Sequence, residues 1–175
     1  SIPRIDFRTT VDWHEKRRLL KVAFPVDVLS RTATYEVQFG AQTRPTHHSN
    51  SYDRAKFEVA GHRWIDLSEG EYGVSLLNDC KYGFDTYQNT MRISLLRASV
   101  MPDPVADQGT HEFVYSMYPH QGDWRKADTV RRAYELNVPL SARMCDAHEG
   151  DMPKQYGFVS VDKPSVVIDS VKKAE

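Results

Sequence analysis

The chain has 175 residues, with 23 basic and 24 acidic side chains and a formal net charge of −1 at pH 7. That length can bury a sizeable core in one domain, while the balanced charge excludes the strong positive field that nucleic acid or an anionic membrane would require, so neither is expected as a partner. No apolar run approaches the roughly 20 residues that cross a bilayer, and the opening SIPRIDFRTT lacks the basic-then-apolar order of a signal peptide.

Ile5 and Phe7, then Val11 and Trp13, alternate as a strand does, and a charged corner through Arg18 leads to a second strand over Leu19–Phe24. Pro25 ends it, because proline cannot donate to a ladder. Thr32 to Phe39 has the cleanest period of two: Ala33, Tyr35, Val37 and Phe39 share one face, and Thr34, Glu36 and Gln38 the other. Gly40 breaks it. Residues 41–54 have no period and contain Pro45, His47, His48 and Asn50, which predicts a surface loop. From Ala55 to Gly83 the pattern reads as a β-meander with one buried face: Phe57 and Val59, then Trp64, Ile65 and Leu67, a turn at Ser68–Gly70, and the run Val74–Leu77.

Met91, Ile93 and Leu95 form the next strand, Met101–Pro104 cannot hold regular structure, and Asp107–Gly109 supplies a turn into a strand over His111–Tyr118. One stretch, 126–136, is helical in its spacing, with Ala127, Val130, Ala133 or Tyr134, and Leu136 at three- and four-residue steps; Asp123 is the expected N-cap and Pro139 follows the end. A polar linker leads to two further strands over Tyr156–Val161 and Val166–Val171. The fold class is therefore all-β, an antiparallel β-sandwich of about ten strands with one short helix. Residues 1–145 make the sandwich, and 146–175 a linker and terminal strands that can begin a further β-domain.

Chemistry is sparse. His47 and His48 are adjacent, which in an extended segment points them opposite ways, and they read as solvated loop residues rather than metal ligands. His62 suits a hairpin end, His111 a partly buried position on an apolar face, and His120 a strand end that can face a ligand. Asp66 and Glu69 read as turn residues tied to backbone N–H groups rather than as a glycosidase acid pair, which for retention needs carboxyl groups about 5 Å apart. Cys80 and Cys145 lie in no metal-ligand spacing, and so low a count suits a reducing compartment. No catalytic residue and no metal ligand is assigned.

The strongest site candidate is the polar exit of the Val74–Leu77 strand: Asn78, Asp79, Lys81 and Tyr82, with His120 from another strand end. Amide, carboxylate and ammonium groups can hydrogen-bond vicinal hydroxyls, and Tyr82 or Trp124 can cover an apolar ring face, the usual grip on a sugar. The alternative for the same residues is a loop held by an Asp79–Lys81 ion pair.

The run FEVAGHRWIDLSEGEYGVSLLNDCKYG, with YEVQFGAQTRPTH before it and DQGTHEFVYSMYPHQGDW after it, resembles the C-terminal β-domain of the zinc-dependent retaining α-mannosidases, glycoside hydrolase family 38, in its cytosolic and bacterial branch. The resemblance runs from about Ile5 to Leu140 and more weakly to Glu175. It implies part of a galactose-mutarotase-like supersandwich, a non-catalytic portion of a cytoplasmic α-mannosidase, and a mannoside or oligomannose ligand. It also implies a partner in an N-terminal catalytic domain carrying zinc and the aspartate nucleophile; that metal site includes a His-x-Asp motif, which this sequence does not contain. Alone, the chain is expected to be inactive and to self-associate as a homo-oligomer. The competing reading is an independent carbohydrate-binding or protein-interaction module.

Overall fold

A computed structural model describes residues 2–174. They form two compact units, residues 2–140 and 141–174. In the first unit, β1 (Ile5–Trp13), β3 (Thr32–Val37), β4 (Gly40–Pro45), β6 (Trp64–Glu69), β7 (Tyr72–Asn78) and β10 (Gly109–Gln121) make one antiparallel sheet in the order β1-β10-β7-β6-β3-β4. The strands β2 (Leu19–Pro25), β5 (Val59–Ala60), β8 (Gly83–Tyr87) and β9 (Thr90–Arg97) make the second, in the order β2-β9-β8-β5. Two helices complete the unit, α1 (Ser51–Ala55) and α2 (Thr129–Asn137).

The facing sides of the sheets share one core, in which Tyr35, Ile65, Leu67 and Leu76 of the first meet Phe84, Met91 and Ile93 of the second, all nearly inaccessible. Aromatic rings extend the seal: Phe7 on β1 stacks on Tyr115 of β10 at 5.2 Å and reaches Phe24 of β2 at 5.6 Å. The antiparallel sandwich is thus the predicted one, and period-two burial is the reason it forms.

The outer face of the first sheet is also covered. Trp64, Leu77 and Tyr118 pack beneath α2 with Ala133, and Trp64 lies 4.8 Å from Trp124, centroid to centroid. A buried Trp of this kind is worth about 3–5 kcal/mol against Ala. The helix begins later than its spacing predicts: Asp128 stands at the N-cap with a left-handed φ of 55° and makes no side-chain cap bond. Asp123 instead accepts from the backbone N–H groups of Arg125 and Lys126, capping the turn just before.

Four further expectations are corrected. Residues 40–45 are a strand, not a loop; β3 and β4 join through Gln38 and Phe39, and Phe39 leaves the apolar face to sit fully exposed in the turn with φ 56°. The meander is not one sheet: β6 and β7 pair in the first sheet, while β5 pairs with β8 in the second and Phe57 is 84% exposed. Gly83, expected to close the meander, instead opens a strand over Gly83–Tyr87 that pairs with β9. In the second unit the strands expected at 156–161 and 166–171 do not form, and Val159, Val161, Val166, Val167 and Ile168 are exposed. A strand without neighbours has nothing to receive its backbone groups, so propensity alone does not make one.

Candidate functional site

At the end of β7 the backbone makes an Asx-type turn built on Asn78. Its side-chain amide donates to the His62 carbonyl at 2.8 Å, and its side-chain oxygen accepts from the N–H groups of Cys80 at 3.1 Å and Lys81 at 2.5 Å. The Asn78 carbonyl accepts from the side chain of Asn137, the last residue of α2, at 2.9 Å. Asn78 is 1% exposed, so these contacts hold the turn rather than reach solvent.

The residues after it face outward. One Asp79 carboxylate oxygen accepts from the Val114 N–H at 2.9 Å and the Asp79 N–H donates to the Val114 carbonyl at 3.2 Å, so the side chain continues the ladder with β10. The Lys81 ammonium stands 4.1 Å over the Phe113 ring, a cation–π contact. No Asp79–Lys81 ion pair forms among the described residues. Tyr82 is 63% exposed and meets His62 edge-on at 5.4 Å. Partial burial and the neighbouring Asp79 carboxylate push the Cys80 thiol up to about 11, against the pull of Lys81.

Behind this rim lies a recess of about 270 Å³, walled by His62, Arg63, Asn78, Lys81, Tyr82 and Asn137. Arg63 is immobilised: it binds Glu36 at 2.6 Å and stacks 3.9 Å over the Tyr134 ring. Burial would lower its pKa, but Glu36 and Tyr134 outweigh that and hold the guanidinium above its ordinary range. The rim therefore presents a carboxylate, an ammonium and a phenol on a rigid wall, a set that can bind vicinal hydroxyls and one ring face. Arg63 and Asn137 were not anticipated, and no local pattern marks them: Asn137 arrives on α2, and Arg63, just before β6, is held against Tyr134 of that helix.

His120 does not belong to this rim. It pairs with Gly73 in the ladder, five residues along β7 from Asn78 and hence about 17 Å away. Its Nε2 lies 2.8 Å from Asp66 and 3.1 Å from Ser75, beneath Thr129 of α2, and its Nδ1 is buried with no hydrogen-bond partner. Ser75 also donates to Asp66 at 2.8 Å and lies 2.9 Å from Thr129, and Ser68 donates to Asp66 at 2.5 Å.

These residue types match a nucleophilic triad, but the geometry does not. Serine and aspartate meet the same ring nitrogen, where a relay needs opposite ones, and no substrate reaches a serine at 0% exposure. Asp66 is thus not a turn residue tied to backbone N–H groups: it binds side chains inside the sheet. Glu69 does accept from a backbone N–H, at 2.6 Å, but from that of Leu29, 40 residues away, and not from its own turn. His47 and His48 are exposed, and among the described residues no three His, Cys, Asp or Glu side chains gather as a metal-ligand set.

The chain is thus an all-β sandwich domain with a polar rim at the exit of β7, and the buried polar groups behind that rim and under α2 are bonded to one another. The chain belongs to the glycosyl hydrolases family 38 C-terminal domain, whose family model matches residues 2–105. It is 46% identical over 173 residues to alpha-mannosidase 2C1 of Mus musculus, 47% over 173 residues to that of Homo sapiens, and 43% over 183 residues to the alpha-mannosidase of Saccharomyces cerevisiae. These alignments cover 99–100% of this chain but 16% of each relative. An alpha-mannosidase structure from Enterococcus faecalis V583 has the same fold, with a TM-score of 0.76 at 21% identity over 86% of this chain and 18% of that one. No helix among the described residues is long and apolar enough to cross a membrane.

Proposed function

We propose that this domain forms one wall of the carbohydrate cleft of a longer, cytoplasmic α-mannosidase, presenting Asp79, Lys81 and Tyr82 to an α-mannoside while bond cleavage runs on residues outside this chain. The observation that carries the reading is the outward-facing carboxylate, ammonium and phenol at the end of β7, in a chain 46% identical over nearly its whole length to an enzyme named alpha-mannosidase. Asn78 then acts as a positioning residue, since its amide sets the turn that aims the other three. His120, sealed under α2, takes part through stability alone.

The zinc-dependent, retaining hydrolysis implied by the family resemblance finds no ligand set among the described residues, so the metal is assigned to residues outside this chain and no catalytic step to those within it.

Kinetics of the whole enzyme test the proposal. Lys81→Ala and Tyr82→Ala should each raise KM for an oligomannoside several-fold with a smaller change in kcat, because the wall binds substrate without touching the reacting atoms. The purified 175-residue chain should not turn over an aryl α-mannoside. Unchanged KM in both variants would remove the wall from the substrate's path, and turnover by the chain alone would place the chemistry inside it.

A further inference from the structure

A second concavity lies away from the β7 rim. It is a cleft of about 620 Å³ at the open end of the sandwich, between the β3–β4 edge of one sheet and the β5–β8 edge of the other, roofed by the segment that carries α1. That size falls within the range of small-molecule sites. Its floor is a buried hydrogen bond from the Tyr35 hydroxyl to Thr86 at 2.8 Å.

The charges around it do not balance. Arg44, Arg54, Lys56 and Arg92 line the cleft against two carboxylates, Asp53 and Asp85. Asp85 is already paired, with Lys21 and with Arg92 at 2.5 Å. Arg44 is half-buried, lies 4.6 Å over the Tyr35 ring, and spends its guanidinium on the Ala60 carbonyl and the Gln42 side chain, both neutral. Burial pushes that guanidinium below its ordinary range, the mark of a cation short of a counter-ion. Arg54 and Lys56 have no ion pair among the described residues. Beside them Phe57 offers a ring that is 84% exposed.

We propose that this cleft binds a phosphate monoester carried on a ring, its phosphate held by Arg44, Arg54 and Lys56 and its ring against Phe57. The charge decides for phosphate over carboxylate: the surplus of two cations matches the roughly −1.5 to −2 of a phosphate monoester at neutral pH, whereas a carboxylate would leave one cation uncompensated. A guanidinium fork also suits phosphate oxygens geometrically. Phe57 lines the same cleft and gives that ring an apolar face to lie against.

Titration of the chain, followed by amide NMR shifts, tests this with glucose-6-phosphate, adenosine monophosphate, inorganic phosphate and free glucose as probes. At least one of the two ring phosphates should give saturable shifts on the cleft residues, with a dissociation constant at or below about a millimolar, and the stronger of the two reports the ring type. Inorganic phosphate should bind at least several-fold more weakly, and free glucose should leave the cleft unmoved. Arg44→Ala should weaken binding about tenfold or more, the worth of a charge-assisted contact. Lys56→Gln, on an exposed side chain that carries no structure, should weaken it a few-fold with unaltered spectra elsewhere. Absence of saturable shifts from both ring phosphates, equal binding of inorganic phosphate, shifts confined to 78–82, or full affinity in both variants would each overturn the proposal.

Discussion

Replacing Asp66 by alanine tests whether the polar cluster under α2 is structural. The carboxylate is 2% exposed and receives Ser68, Ser75 and His120. Ser68 is partly exposed and can turn to water, whereas Ser75 at 0% and His120 at 7% cannot. A hydrogen bond to a charged group contributes about 1.5–3 kcal/mol, and a buried donor left without an acceptor costs a similar amount. Losing two such bonds, with Ser75 keeping Thr129 and His120 keeping Ser75 at 3.1 Å, puts the loss near 3–5 kcal/mol, a large share of the roughly 5–15 kcal/mol that holds a domain together. Asp66→Asn keeps the volume and one acceptor oxygen, and should lose about 1–2 kcal/mol. Urea unfolding followed by tryptophan fluorescence measures both, since Trp64 and Trp124 meet under the same helix. A loss below about 1 kcal/mol for Asp66→Ala, or a larger loss for Asn than for Ala, would refute the assignment of Asp66 as the shared acceptor.

Other variants probe the rest of the frame. Arg63→Ala removes the tie between Glu36 and Tyr134 and should cost about 1–3 kcal/mol, less than a fully buried pair because the arginine is 32% exposed; amide exchange in α2 should quicken while that in β9 does not. Gly73→Ala drives a Cβ to 2.6 Å from the His120 ring and into the Ser68 hydroxyl, and should cost about 2–3 kcal/mol by overpacking. Gly70→Ala meets nothing within 4 Å and should cost only about 1 kcal/mol, through its φ of +51°; unfolding midpoints that rank the two glycines the other way would contradict the packing. Partial burial pushes the Asp6 carboxyl up, but hydrogen bonds from Arg4 and Ser116 hold it below the usual carboxylate range. Its stabilisation is therefore complete above the ordinary aspartate pKa, about 3.9, and is lost as pH falls through the lowered folded value. The stability gap between the parent chain and Asp6→Asn should accordingly close at acid pH, and a gap that stays constant to about pH 2 would rule this out.

How far the fold is legible depends on which faces are buried. Strands with one apolar face declare themselves, as β1, β2, β3, β9 and β10 do through alternation, while β6 and β7, covered on both faces, show as short apolar runs. The strand β4 hides because it lies at a sheet edge with nearly every side chain exposed, so GAQTRP carries no period. In β8 only Phe84 and Thr86 are buried, and they straddle an aspartate that belongs to an ion pair. The C-terminal valines mislead in the opposite direction: they have the composition of strands without the neighbours. Period-two reasoning detects burial, and it reports strands faithfully only where burial is one-sided and the partner is present.

The site divides along the same line. Asn78, Asp79, Lys81 and Tyr82 are adjacent in sequence and stay together in space, so their grouping could be read directly. Which of them faces outward could not, because the role of Asn78 depends on His62 before it and on Asn137, 59 residues beyond. His120 shows the converse. Its alternation along β10 places it with Ser116 and Tyr118, a face that would meet solvent in a bare two-layer sandwich. The short helix α2 turns that face into a second interior and converts a strand-end histidine from a ligand candidate into a buried hydrogen-bond partner. Once α2 is placed over β6 and β7, burial of Asp66, Ser75 and His120 follows, and the part of the β7 exit that the helix leaves uncovered, Asp79 and Tyr82 above all, stays exposed.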